Sequence, residues 1–313
     1  MTVLPKRYAV INIGTLKTKC LLAHFDRGNL VPLYQSNNLT CFGCEMFESG
    51  NIILEKNLNC TIEELNRLKD IIAKEKCSGL RVFATHALRD AVNQKQILEI
   101  IKNKTGLAVE IIGPGEEADL YYQSVINDLI SNQEYIIIDS GGSSCQISIG
   151  NSKGARISKS YKTGAQQLHE RFSRDPHNPK GINTPDDIKK MKEFLIKEYA
   201  NLPDNIGLPL VYGSSNIIKL FEFIKIPMEP YPTKAHPYKT VLSSLNEFTD
   251  GIIKLPYEKR EEKYPFQTGY MWGIDKAFTN IAVLGEKFAS PYLIPSNSSI
   301  MEGFLRKMRI NGL

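Results

Sequence analysis

The sequence predicts an α/β protein built from two similar domains. A strand–glycine–strand opening occurs at 8–25 and again at 135–150, each followed by alternating apolar runs and amphipathic helices. The chain has 313 residues, more than one core usually serves, because single cores stop growing near ~250–300 residues. The boundary is placed so that 1–126 forms a first domain and 127–313 a second, with room for the last helix to pack back on the first.

Each element follows from its pattern. Residues 8–13 are an apolar run ending at Gly14, and 19–25 are a second, which together read as a hairpin. Residues 61–74 place Ile62, Leu65, Leu68, Ile71 and Ile72 at helical spacing, and Thr61 with Glu64 three residues on predicts an N-cap at 61. Then come a buried strand at 80–85, a turn at 87–91, a helix at 94–101 and a strand at 109–112. A helix at 116–130 has an acidic start that suits the positive end of its dipole. The second half opens with strands at 135–139, 146–149 and 157–161. Helices are expected at 164–172, 185–199, 216–224, 270–284 and 300–309, with a strand at 208–212. The stretch 173–184 is rich in Pro, Asn and Gly and reads as a surface loop. Residues 225–265 hold many prolines and give no readable pattern, and the mixed-sign run 258–263 predicts a solvated turn.

Composition narrows the function. The net charge of +5 favours anions weakly and is too small to argue for a nucleic-acid duplex as partner. No apolar run approaches the ~20 residues of a membrane span, and the start lacks a secretory pattern, so a cytoplasmic protein with reduced thiols is expected. Six cysteines are scattered along the chain; Cys41-x-x-Cys44 has metal-like spacing, but no second pair or nearby His completes a zinc site. Cys145 has no neighbouring His or Asp and reads as a small buried apolar residue rather than a nucleophile. His86 and His169 read as structural, and Trp272 and Tyr270 suit helix packing.

Three glycine turns at strand ends carry the strongest chemical signal: Gly14-Thr15-Leu16-Lys17-Thr18, Gly141-Gly142-Ser143-Ser144 and Gly213-Ser214-Ser215. Successive backbone N–H groups in such turns form nests for phosphate oxygens, and glycine lets the anion approach the backbone. Lys17, with Lys19 two residues on, would add a point charge.

The residues around these turns resemble the Ppx/GppA family, the exopolyphosphatases and guanosine pentaphosphate phosphohydrolases. The resemblance is carried by Phe83-Ala84-Thr85-His86-Ala87-Leu88-Arg89-Asp90-Ala91 and by Val109-Glu110-Ile111-Ile112-Gly113-Pro114-Gly115-Glu116-Glu117-Ala118. It continues in Ile137-Ile138-Asp139-Ser140-Gly141-Gly142-Ser143-Ser144, in Leu168-His169-Glu170-Arg171-Phe172, and in the closing Pro295-Ser296-Asn297 through Glu302-Gly303-Phe304-Leu305. It implies two RNase H-like (actin-like ATPase) domains with a phosphate-binding cleft between them, the short two-domain form of the family, and a homodimer.

It also implies roles. Glu117 matches the glutamate that positions or activates the attacking water, with Glu116 as the alternative. Arg89 matches a phosphate-contacting arginine. Of three carboxylates expected to hold a magnesium ion, Asp139 matches; Asn12 stands where the family has aspartate and Gln146 where it has glutamate. Asp119, Asn297, Met301 and Cys41 also depart from the family pattern. Losing two carboxylates removes charge that faces the ion, while the backbone cradle is spared. Two functions are therefore expected: hydrolysis of terminal phosphoanhydride bonds of polyphosphate or guanosine pentaphosphate, weakened by the lost carboxylates, or a catalytically degenerate member that binds a phosphorylated ligand or a partner protein. A sugar or small-molecule kinase of the actin-like type fits the motifs less well.

Overall fold

The structure, a computed structural model, describes residues 5–214 and 216–310. The chain divides into two compact units, Met1–Ser124 with Ser299–Leu313, and Val125–Ser298. No helix among the described residues is long and apolar enough to cross a membrane.

In unit 1, β1 (Arg7–Ile13), β2 (Lys17–Asp26) and β3 (Asn29–Leu39) form an antiparallel meander. α1 (Glu55–Lys74) leads to β4 (Gly79–Ala84), and α2 (His86–Asp90) and α3 (Gln94–Thr105) to β5 (Glu110–Ile111), followed by α4 (Pro114–Ile126), which ends just inside unit 2. The sheet order is β3-β2-β1-β4-β5, with β4 parallel to β1 and β5 parallel to β4. β1 is buried on both faces, so its run of Ala9–Ile13 is continuously apolar save for Asn12. Ala9, Ile11 and Ile13 enter one core with Leu65 and Leu68 of α1. Val10 enters a second core with Leu120 of α4.

Unit 2 repeats the plan. β6 (Tyr135–Ser140), β7 (Cys145–Asn151) and β8 (Gly154–Tyr161) form the meander. α5 (Ala165–Phe172) and α6 (Pro185–Glu198) follow, and a capping box of Thr184 and Asp187 starts α6. Next come β9 (Leu210–Gly213), α7 (Ile217–Phe223), the short pair β10 (Glu229–Pro230) and β11 (Tyr238–Lys239), α8 (Ser243–Ile252), α9 (Tyr257–Lys263), α10 (Ile274–Phe288) and β12 (Leu293–Ser296). The sheet order β12-β9-β6-β7-β8 is that of unit 1 read from its other edge, with β9 parallel to β6 and β12 parallel to β9. Both units are therefore RNase H-like, as expected.

The last helix, α11 (Ile300–Ile310), belongs to unit 1. Ser299 and Glu302 cap it: Glu302 accepts from the Ser299 amide at 2.9 Å. Phe304 stacks on Phe83 of β4 at 4.8 Å between ring centroids. Gly303 lets α11 cross α4 at backbone contact, since a Cβ there would lie 2.0 Å from the Leu120 carbonyl oxygen.

Three expectations are corrected. Thr61 does not cap a helix. α1 starts six residues earlier, and the Thr61 hydroxyl bonds back to the Asn57 carbonyl at 2.9 Å, a way for threonine to sit inside a helix. Run 258–263 is not a solvated turn but most of α9, and its Arg260 is fully buried against Asp275 at 3.0 Å. The last long helix begins at Ile274 rather than 270.

Candidate active site

The first glycine loop joins β1 to β2, and the Gly14 amide donates to the Lys17 carbonyl at 3.1 Å. The Thr15 carbonyl accepts from the Gly43 amide at 2.8 Å, and the Leu16 carbonyl from the Thr40 and Cys41 amides at 3.1 and 2.9 Å. In a trans peptide the C=O of one residue and the N–H of the next point opposite ways. Tying the carbonyls of Thr15 and Leu16 to 40–43 therefore turns the amides of Leu16 and Lys17 away from that segment.

The second loop joins β6 to β7 by the same device, with the Gly141 amide donating to the Ser144 carbonyl at 2.9 Å. Its carbonyls are held by the start of α5: Ala165 donates to Gly141 at 2.9 Å, Gln167 to Gly142 at 3.0 Å and Gly164 to Ser143 at 3.0 Å. These bonds occupy donors that a helix start otherwise leaves unpaired. They also aim three successive amides, of Gly142, Ser143 and Ser144, away from the helix, the geometry of an anion nest. The seat is tight: a Cβ on Gly164 would fall 2.4 Å from backbone carbons of Gly142 and Ser143.

The two hairpins place different charges at one position. Asn12 pairs with Lys19 in register, and Asp139 pairs with Gln146. The Asn12 Oδ1 and the Ser140 Oγ are buried without a hydrogen-bond partner. Gln146 donates its Nε2 to Ser144 Oγ at 2.9 Å and to Ser160 Oγ at 3.2 Å. Lys17 is buried, 8% exposed, rather than a solvated hairpin lysine.

Magnesium takes hard oxygen donors, commonly one or two carboxylates with water and phosphate. The hairpin rows offer one carboxylate, Asp139; Gln146 directs an NH₂ at its serines, and Lys19 sets an ammonium opposite Asn12. Among the described residues no group of three or more His, Cys, Asp or Glu is gathered. Neither hairpin row, taken by itself, supplies the several carboxylates of such a magnesium site.

Glu117 lies in the first turn of α4, its amide bonded to the Gly113 carbonyl at 2.9 Å, and is 6% exposed. Arg89, near the end of α2, donates Nη1 to Glu117 Oε2 at 3.2 Å and to the Ile112 carbonyl at 2.8 Å. The structure thus joins the two motif residues 28 positions apart in sequence. Glu116 instead faces outward and pairs with Lys307 of α11 at 2.6 Å, which separates the two candidate glutamates. In unit 2, Gly213 stands beside Asp139 in the β6–β9 register. The Ser214 amide donates to the Ser296 carbonyl at 3.3 Å, and its hydroxyl meets Tyr270 at 3.2 Å. Ser215 lies outside the described residues. Asn297 accepts from the Ile218 amide at 3.2 Å, near the start of α7.

The residues read as structural are so placed. Burial pushes the Cys145 thiol up to about 12, which keeps it protonated. His169 bonds Pro176 and Ser173, and burial lowers it to about 4. Trp272 stacks on Tyr257 at 5.1 Å. Sequence reasoning missed Gly43 and Gly164, the seats of the two loops; their signal is a glycine shortly after the third strand of each meander.

The sequence profile of the Ppx/GppA phosphatase family matches residues 26–263. The guanosine-5'-triphosphate,3'-diphosphate pyrophosphatase of Photobacterium profundum is 27% identical over 175 residues, covering 55% of this chain and 34% of that protein. Exopolyphosphatase 1 of Mycobacterium tuberculosis is 25% identical over 195 residues, covering 62% and 55%. The chain thus spans a third to about half of these curated relatives. A crystal structure of the Aquifex aeolicus member of that family covers 99% of both chains at 25% identity with a TM-score of 0.78. An exopolyphosphatase from Cytophaga hutchinsonii, at 19% identity and a TM-score of 0.84 over 98% of this chain, shares the fold.

Proposed function

The chain belongs to the Ppx/GppA phosphatase family, and from that premise we propose that it hydrolyses the terminal phosphoanhydride bond of inorganic polyphosphate or guanosine pentaphosphate. The names of the curated relatives support the substrate class. The observation that carries the reading is Glu117, buried at the start of α4 with one carboxylate oxygen fixed by Arg89. A carboxylate so held is oriented, and it is the group to which we assign the attacking water.

In this mechanism Glu117 takes a proton from water as the water oxygen bonds to the terminal phosphorus. The bond from that phosphorus to the bridging oxygen breaks, and the shortened phosphate chain leaves with the electron pair. Arg89 positions Glu117, and its other guanidinium donors serve the phosphate. In unit 1 the amides of Leu16 and Lys17, with the Lys17 side chain, are assigned phosphate oxygens; in unit 2 the amides of Gly142, Ser143 and Ser144 are assigned the same role by themselves, as are Gly213 and Ser214. No step runs through a metal. Phosphoryl transfer relies on charge stabilisation, so this hydrolase turns over slowly.

Phosphate release from long-chain polyphosphate tests the reading, wild type beside Asn12→Asp/Gln146→Glu with magnesium. Slow wild-type release and a faster, magnesium-dependent double variant are expected. The neutral amides at 12 and 146 also favour a second reading, a phosphate-binding protein without turnover. Tight tripolyphosphate binding with no release from either protein would select it.

A further inference from the structure

We propose that Cys41 and Cys44 form a dithiol modification site that closes to a disulfide on reaction with a small-molecule disulfide, independently of the catalytic reading. The pair spans the segment that carries the first glycine loop. The Cys44 amide donates to the Cys41 carbonyl at 3.0 Å, closing a four-residue turn. Such a turn holds its end Cα atoms within ~7 Å, and disulfides bridge Cα atoms ~4.4–6.8 Å apart. Phe42, between the cysteines, is fully buried and anchors the turn.

Spacing, rather than access, singles out this pair, since Cys60 is exposed and Cys77 is half-buried like Cys41. Cys41 is half-buried and reachable, and Cys44 lies behind it. Lys56, held by Glu45 at 2.6 Å, is raised first by that hydrogen bond and further by Cys44 and Cys41, so both sulfurs lie in its field. The thiolate is the attacking form. Cys20 and Cys145 are buried and pushed up to about 12. Zinc is the competing occupant of such spacing, but among the described residues no third ligand gathers with the pair.

The chemistry balances with oxidised glutathione as reagent. The Cys41 thiolate attacks one glutathione sulfur and the S–S bond breaks, releasing one glutathione thiolate. The Cys44 thiolate then attacks the Cys41 sulfur and releases the second. The protein loses two electrons and two protons; one glutathione disulfide becomes two thiols.

The turn is also the support of the first loop, since the amides of Cys41 and Gly43 hold the carbonyls of Leu16 and Thr15. A covalent ring restricts the opening of the turn, so exchange of these amides slows on oxidation. The test treats the folded full chain with oxidised glutathione, then combines intact mass, peptide mapping and hydrogen exchange. The expected results are loss of two hydrogens, a bridge mapped to 41–44, slower exchange at 40–43, and reversal by dithiothreitol. Cys44→Ser should stop at a glutathione adduct on Cys41. A bridge between other cysteines, a lasting adduct on Cys41 in the wild type, or unchanged exchange in a bridged protein would overturn the proposal.

Discussion

The β1–β2 and β6–β7 hairpins turn at equivalent positions, Gly14 bonding Lys17 as Gly141 bonds Ser144. Each has its loop carbonyls tied from behind by the chain that leaves the third strand. In unit 2 that support is the start of a helix, α5; in unit 1 it is the irregular segment 40–43. The side chains diverge more than the backbone: Asn12 faces Lys19 where Asp139 faces Gln146. The comparison teaches that the loop backbone geometry is set by strand order and carbonyl anchoring. The charge set in the hairpin rows can change without disturbing it.

The sharpest asymmetry proposed is catalytic, because Glu117, to which the base role is assigned, belongs to unit 1. Glu117→Gln should lower phosphate release by ~10²–10⁴-fold, the usual worth of a general base, and leave tripolyphosphate affinity within a few-fold. A rate unchanged in the polyphosphate assay would remove Glu117 from its role.

The supports themselves differ in tolerance. Gly164→Ala drives a methyl into backbone at 2.4 Å, whereas Gly43→Ala meets side chains, Ala87 Cβ at 2.7 Å and Thr15 Cγ2 at 2.9 Å. Overpacking costs about 1–3 kcal/mol; Gly164→Ala should fall at or above the top of that range and Gly43→Ala nearer the bottom. Urea unfolding midpoints of the two variants give the order, and equal losses would deny that the helix seat is the stiffer one.

Acid should separate the units next. His169 of unit 2 is lowered from 6.5 to about 4 by burial, so the unfolded chain binds its proton first as pH falls. Its contribution is complete above pH 6.5 and is lost as pH falls towards 4, at most about 3 kcal/mol. In unit 1 burial raises Glu302 instead, which works in the opposite sense. Hydrogen-exchange protection factors, referred to the intrinsic rate at each pH, should therefore fall around α5 before α11 between pH 7 and 5, and His169→Gln should flatten that dependence.

A smaller effect is expected from restoring charge. Asn12→Asp beside Lys19 should raise the magnesium-dependent rate by ~10-fold, as one added ion-facing carboxylate would, and Gln146→Glu should add to it. No response to magnesium in either variant would show that position 12 does not face the reacting phosphate.

Much of this was readable from residue pattern. The glycine turns and the duplicated plan are local signals, whereas the contact of Arg89 with Glu117, 28 positions apart, is not. β3 escaped notice because Asn29–Leu39 is an edge strand with a polar run at 35–38 and Pro32, which the sheet admits beside a bulge opposite Leu22 and Ala23. Arg260 escaped because its neighbours in sequence are charged and exposed, while its partner Asp275 comes from α10. The motif alone favours Glu117 over Glu116; the different partners of the two, Arg89 for one and Lys307 for the other, are tertiary and were not readable.

The proposal on which the rest depends is that the backbone amides of each hairpin, taken by itself, bind phosphate. Amide hydrogen exchange of the Glu117→Gln protein, with and without tripolyphosphate, reads those amides directly. Slower exchange at 16–17 and 142–144 on ligand addition is predicted. Binding that leaves both loops exchanging at their ligand-free rates would contradict it.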